Sequence, residues 1–169
     1  MRNVFVDGYN VINSWPDLNK IKDYSFEAAR IKLVEMMQNY AAYRGYKIFI
    51  VFDAHMVKGS MEKREKLENV MVIFTKEGET ADSFIERYVN LIGRKIEVCV
   101  VTSDSLEQQL AFQRGAIRMS SIEFYNEVIS TKEKINVNTK ENVTADRTLV
   151  EDSVNKDILE KLEKIRRSR

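Results

Sequence analysis

Apolar residues run along this chain in short blocks that alternate with longer stretches of helical period. Asn3 to Val6, KIFIVFD ending at Asp53, VMVIF and IEVCVV are each too short for a buried helix and rich in Val, Ile and Phe. They read as core strands. Between Phe26 and Tyr43, the residues Phe26, Leu33, Val34, Met37, Tyr40 and Ala41 recur near every 3.6 positions, which predicts an amphipathic helix with Ser25 as cap and Gly45 as stop. Thr80 to Leu91, Leu106 to Gln113 and Ser121 to Ile129 read as further helices, and Ala116 to Met119 as a weak strand. After the first strand comes an expected loop containing the sole proline, Pro16. HMVKGSMEKREKLEN is polar and basic and reads as an exposed excursion. Buried strands alternating with amphipathic helices predict an α/β sandwich built on a mainly parallel sheet.

The pattern changes after Ile129. TKEKINVNTKENVTADRT is polar and has no clear period, so an extended arm or a covering hairpin is expected. VNKDILEKLEKIRRSR then places Val154, Ile158, Leu162 and Ile165 on one face of an amphipathic helix with a basic last turn. The expected organisation is one domain over 1–130, with a tail over 131–169 packed on it. A chain of 169 residues suits a single domain of ordinary size.

Composition narrows the chemistry. Hydrophobic residues at 44% and charged residues at 31% describe a globular protein, and the net charge is +1. No apolar run approaches the roughly 20 residues that span a bilayer, and no basic segment followed by an apolar core opens the chain. A cytoplasmic protein without membrane partners is expected. The single cysteine, Cys99, lies in a strand and reads as a buried thiol, with no partner for an internal disulfide. The single histidine, His55, cannot supply the two imidazoles of a metal-free acid–base ribonuclease. One His and one Cys also fall short of a zinc site of the usual ligands. Chemistry in this chain must rest on carboxylates.

The strands of a parallel sheet end on one edge, where ligands bind. That rule gathers Asp7 and Asn10 after the first strand, Asp53 after the second, EGETAD after the third, and TSD after the fourth. Each has a local explanation. Asp7, Gly8 and Asn10 are common turn residues, as is Asp53. Asp104 with Glu107 resembles a capping box, and Glu79 and Asp82 suit a helix start. No lysine or arginine stands inside these turns, however, and carboxylates about 4–6 Å apart destabilise one another unless a cation or proton intervenes. A divalent metal with hard oxygen ligands, Mg²⁺ or Mn²⁺, answers that need. Its chemistry points to phosphodiester hydrolysis.

The motifs VFVDGYNVINSWPDL, IVFDA, EGETAD with SFIERYV, and VVTSD, in this order, resemble the NYN domain family, nucleases related to PIN domains. More narrowly they are similar to the YacP-like branch of bacterial ribosome-associated endoribonucleases acting on mRNA. The resemblance implies a PIN-like three-layer sandwich. It also implies a catalytic set of Asp7, Asn10, Asp82 and Asp104, with Asp7, Asp82, Asp104 and Glu79 toward the metal. Asp53 stands where part of the wider family has an acid. Asn10 is expected to orient a water or ligand through its amide. mRNA as substrate, rather than DNA, and the ribosome as partner rest on this resemblance.

Candidates for RNA contact are Lys58, Lys63, Arg64, Arg87 and Arg114, with Trp15, beside Pro16, as an exposed stacking surface. Interleaved Glu62, Glu65 and Glu68 equally fit an ordinary solvated surface. Two other readings compete with a nuclease. A noncatalytic RNA- or ribosome-binding protein would keep the fold without turnover. A phospho-receiver domain would place acids at Asp7 and Asp53 and a hydroxyl at Thr102, but leaves EGETAD unexplained and lacks a lysine near Met119. No GxGxxG turn follows the first strand, which argues against a dehydrogenase.

Overall fold

The computed structural model describes residues 2–54, 61–103 and 115–167, without the side chains of 142–159, 162 and 165. His55, Lys58, Asp104, the expected helix Leu106 to Gln113, and Arg114 lie outside the described residues. In chain order the elements are β1 (Asn3–Asp7), α1 (Gly8–Ser14), α2 (Pro16–Lys22), α3 (Phe26–Arg44), β2 (Lys47–Phe52), β3 (Lys63–Leu67) and β4 (Val70–Phe74). They continue with α4 (Ala81–Ile92), a 3₁₀ turn (Gly93–Lys95), β5 (Val98–Val101), β6 (Ile117–Met119) and α5 (Ser121–Arg167). The chain divides into two compact units, Met1–Thr131 and Lys132–Arg169.

In the first unit six strands form one sheet in the order β3-β4-β2-β1-β5-β6. All neighbours are parallel except β3, which runs antiparallel to β4. From β1 the chain builds outward through β2 to β4, then returns to place β5 on the other flank of β1. The order of strands therefore reverses at β1, the point where open α/β sheets bind ligands beyond the strands' carboxyl ends.

Side chains on β1 alternate between the two faces of the sheet, as the strand period requires. Val4 and Val6 join Ile48, Ile50 and Phe52 beneath Leu33 and Met37 of α3, Leu18 of α2 and Phe124 of α5. Phe5 joins Phe49 and Val51 beneath Phe84, Ile85 and Val89 of α4. Cys99 is buried, and burial pushes its thiol up to about 11. Helix α3 starts and stops as its sequence predicts: the Ala28 N–H donates to Ser25 Oγ at 3.2 Å, and Gly45 ends it in the left-handed region at φ 70°.

Three expectations need correction. The segment around Pro16 is two short helices and not a loop, because Asp7 caps α1 and Pro16 opens α2 at its first helical position. That geometry turns Trp15 inward. It is 0% exposed, packs against Phe124 and Tyr125, and donates its indole N–H to the Ser121 carbonyl at 2.8 Å. Trp15 is therefore a core residue and not a stacking surface. Second, part of the basic excursion, KREKL, is the edge strand β3; charge is a common defence of an edge against further pairing, and here it masks the strand pattern.

Third, the expected arm or hairpin after Ile129 is helix, continuous with the amphipathic C-terminal stretch as α5. Its Asn, Val and Thr residues are weak helix formers, yet no Gly or Pro occurs after Gly115 to interrupt it. In the second unit the Thr139 hydroxyl donates to the Ile135 carbonyl one turn back, at 2.9 Å. Among the described residues no helix is long and apolar enough to cross a membrane.

Gly8 is fixed by contact. A Cβ there would lie 2.3 Å from Phe52 Cε1, inside the packed core. Gly8→Ala is expected to cost about 1–3 kcal/mol, the usual range for overpacking, and urea denaturation would expose the loss. Trp15 offers a second check as the sole tryptophan. Its emission should be blue-shifted, resist iodide quenching in the native state, and stay unchanged when RNA is added.

Candidate active site

Asp7 ends β1 and caps α1 at once. Its Oδ1 accepts the Asn10 N–H at 3.3 Å, which holds the carboxylate at the sheet edge instead of letting it turn to solvent. Burial is the largest influence on it and raises its pKa above the usual carboxylate value. The Asp82 side chain is a hydrogen-bonding neighbour and backbone N–H groups lower the value, while the charge of Asp53 raises it further. Two carboxyl groups can share such a contact only if a proton or a cation lies between them. Asp82 and Asp53 thus lie near enough to act on the Asp7 carboxyl.

Asp82 reaches this position from the first turn of α4. Thr80 caps that helix, its hydroxyl oxygen accepting the Ser83 N–H at 3.1 Å. Glu79 lies three residues before Asp82. Its Oε1 accepts from Arg87 Nη2 at 3.0 Å, and its Oε2 is buried with no hydrogen-bond partner among the described residues. An orphaned carboxylate oxygen costs stability.

Thr75, which the sequence reading passed over, ties two of these turns together. It is fully buried, accepts the Ala54 N–H at 3.1 Å and donates its hydroxyl to the Glu79 carbonyl at 2.8 Å. Asp53 and the Glu79–Asp82 turn are held in register by that one side chain. The signal was present: Thr75 is the first residue after VMVIF, the same strand-end position that singled out Asp7 and Thr102.

On the other flank of β1, the Asn10 carboxamide accepts the Ser103 N–H at 3.2 Å. Its oxygen thereby braces the turn after β5. Ser103 continues into a chain of hydroxyls, 2.6 Å to Ser121 and 2.8 Å from there to Ser14, whose Oγ also lies 2.8 Å from the Asn10 carbonyl. Ser14 and Ser121 carried no sequence signal, one being a small polar residue in an expected loop and the other the first residue of an expected helix. Thr102 is buried and donates its N–H to the Met119 carbonyl at 3.1 Å.

Two of the basic candidates, Arg64 and Arg87, are ion-paired. Arg64 pairs with Glu62 at 2.6 Å and lies over the rings of Phe84 and Tyr88. Arg87 pairs with Glu79, lies 3.9 Å from Glu62 and covers Phe84. Lys63 is exposed on β3.

Among the described residues no three His, Cys, Asp or Glu side chains are arranged to hold a metal. Mg²⁺ asks for less, one or two direct carboxylates with waters filling its shell. The close pair Asp7–Asp82, with Asp53 adding negative charge and a buried Glu79 oxygen lacking a partner, suits a hard cation of that kind.

Residues 4–167 match the YacP-like NYN domain family. The protein YacP of Bacillus subtilis (strain 168) is 39% identical over 165 residues, covering 97% of this chain and 96% of that one. The crystal structure of Rae1 (YacP) from Bacillus subtilis is similar at a TM-score of 0.74 and 38% identity, over 99% of this chain and 95% of that chain. A point mutant of Rae1 matches at the same TM-score over 85% of each chain, with 37% identity. With its six-stranded, mostly parallel sheet and PIN-like fold, this chain belongs to the YacP-like NYN domain family.

Proposed function

We propose that this protein is a divalent-metal-dependent endoribonuclease that hydrolyses mRNA phosphodiester bonds in association with the translating ribosome. Membership of the NYN family points to a nuclease-type function. The observation that carries the finer reading is the contact of Asp7 with Asp82 at the strand-order reversal, beside Asp53. Partly buried acids in close proximity are an arrangement that a fold tolerates at a cost, and functional sites are where such costs concentrate.

Asp7 and Asp82 would hold Mg²⁺ or Mn²⁺, with Glu79 Oε2 and Asp53 able to bond its waters. When bound, such an ion supplies an activated water and offsets the charge that grows on the phosphate and its leaving oxygen. The chain's own part is preorganisation. Asn10 fixes the Ser103 turn, Thr75 fixes the Asp53 and Glu79 turns, and Asp7 is fixed by α1. RNA and the ribosome are supported by the resemblance to the ribosome-associated endoribonucleases of this branch.

Incubating the protein with mRNA, free and on translating ribosomes, tests this directly. Cleavage is expected to need Mg²⁺ or Mn²⁺, to stop with chelator, and to fall by on the order of a hundredfold or more in Asp7→Asn and Asp82→Asn. Wild-type cutting by both variants would overturn the assignment, and binding without any cutting would favour a noncatalytic RNA-binding protein.

Stability should move the other way. Because the folded-state pKa of Asp7 is raised, its burial as a carboxylate penalises folding. The penalty grows as pH rises from the unfolded carboxylate value through the folded one, and persists above it. Asn keeps the cap and removes the charge. In chelator at neutral pH, Asp7→Asn is therefore expected to melt at a higher temperature than wild type, with the gain shrinking as pH falls through the raised folded value and gone below about pH 4, where the unfolded carboxylate is protonated too. A lower melting temperature at neutral pH would contradict the argument.

A further inference from the structure

Parallel neighbours such as β2 and β4 are joined by a crossover, which usually lays a helix on the sheet. Here the described part of that connection is β3, folded back on β4 through Glu68 and Asn69, with Glu68 left-handed at φ 53°. Helix α3 packs on β2 and β4. Among the described residues no helix covers the β3–β4 hairpin on that side. What remains is a groove of about 520 Å³ between α3 and the hairpin.

Its floor is apolar, with Leu67, Val72 and Phe74, and Ile31 and Val34 of α3 form the wall. Ile31 is 62% exposed, a large aliphatic side chain at the lip with no partner to cover it. Along α3 the lining runs from Glu27 to Gln38, about 16 Å or three helical turns. The rim is acidic. Glu27, Glu35 and Glu65 face one lining cation, Arg30, whose guanidinium is taken up over the Phe74 ring at 6.0 Å. Glu35 lies 3.8 Å from Lys32, while Glu27 and Glu65 make no hydrogen bond or ion pair among the described residues.

We propose that this groove docks a basic amphipathic helix of a partner protein. Its apolar residues would seat on Leu67, Val72 and Phe74, and its lysines or arginines would pair with Glu27 and Glu65. The length along α3 suits about three turns of a docked helix, and helix-in-groove recognition of this kind reads apolar anchors at i, i+3, i+4 and i+7. Charge selects the class of partner. Carboxylates without partners attract a cationic helix and repel the phosphates of RNA, so the groove is distinct in chemistry from a nucleic-acid track. The proposal does not depend on the nuclease reading.

Methyl NMR of the full chain tests it, with a 14-residue Leu/Lys amphipathic peptide as probe. Saturable shifts are expected at the Ile31, Val34, Leu67 and Val72 methyls, weakening as salt is raised. The doubly reversed variant Glu27→Lys, Glu65→Lys should bind about tenfold more weakly, as should Ile31→Glu. All three positions are exposed, and unchanged methyl signals in the α4 core would establish that the variants fold. A Leu/Glu peptide of the same pattern should leave the groove methyls unmoved. No shift at these methyls, or equal binding by the charge-reversed variant, would overturn the proposal. It would also fall if an RNA oligonucleotide or spermidine saturated the same methyls and displaced the peptide.

Discussion

The burial of Asp7 against Asp82 constrains much of what surrounds it. A carboxylate partly withdrawn from water at the end of a central strand, with a second carboxyl beside it and a third nearby, is costly unless a cation resolves it. The surrounding architecture prevents the simple escape, which would be rotation of Asp7 toward solvent. Its Oδ1 is engaged by the first turn of α1, and α1 is pressed onto the sheet at Gly8, where Phe52 leaves no room for a Cβ. Local capping and core packing thus hold in place a group that electrostatics alone would expel.

The neighbouring turns are braced by neutral side chains. Thr75 links the turns after β2 and β4, and Asn10 with the Ser103–Ser121–Ser14 hydroxyls links the turn after β5 to α1 and α5. Uncharged braces fix geometry without neutralising the acids. An arginine in the same places would pair with the carboxylates and remove the demand for a cation. The arginine that does come close, Arg87, is directed to Glu79, leaving one oxygen of that residue buried and unbonded.

Much of this was legible because a parallel sheet converts sequence position into spatial position. Short β-branched and aromatic runs located β1, β2, β4 and β5, and the residues that follow them named Asp7, Asn10, Asp53 and Asp82 before any coordinates. What escaped has physical reasons. β3 is charged at nearly every position because edges discourage pairing, so it carries no hydrophobic period. The two helices around Pro16 are each seven residues long, too short for periodicity to register, and only their caps could have declared them. Trp15 was misread because the joint between those helices faces the core. In α5 the stretch after Ile129 has weak propensity and no stripe, and the absence of any Gly or Pro was the signal left unread.

The β3 hairpin connects both surfaces of the protein's edge. With a strand period of two, Arg64 stands on the α4 side, stacked on Phe84 and Tyr88, while Glu65 and Leu67 take alternating positions whose second set lines the α3 groove. The register Lys63↔Phe74 through Leu67↔Val70 fixes which set faces where. A slip of one residue would exchange the two faces and remove Leu67 from the groove. One five-residue strand therefore places Arg64 and Lys66 on the α4 side and Lys63, Glu65 and Leu67 on the α3 side. A helix in its place would have closed the groove and removed the scaffold on which Arg64 is held.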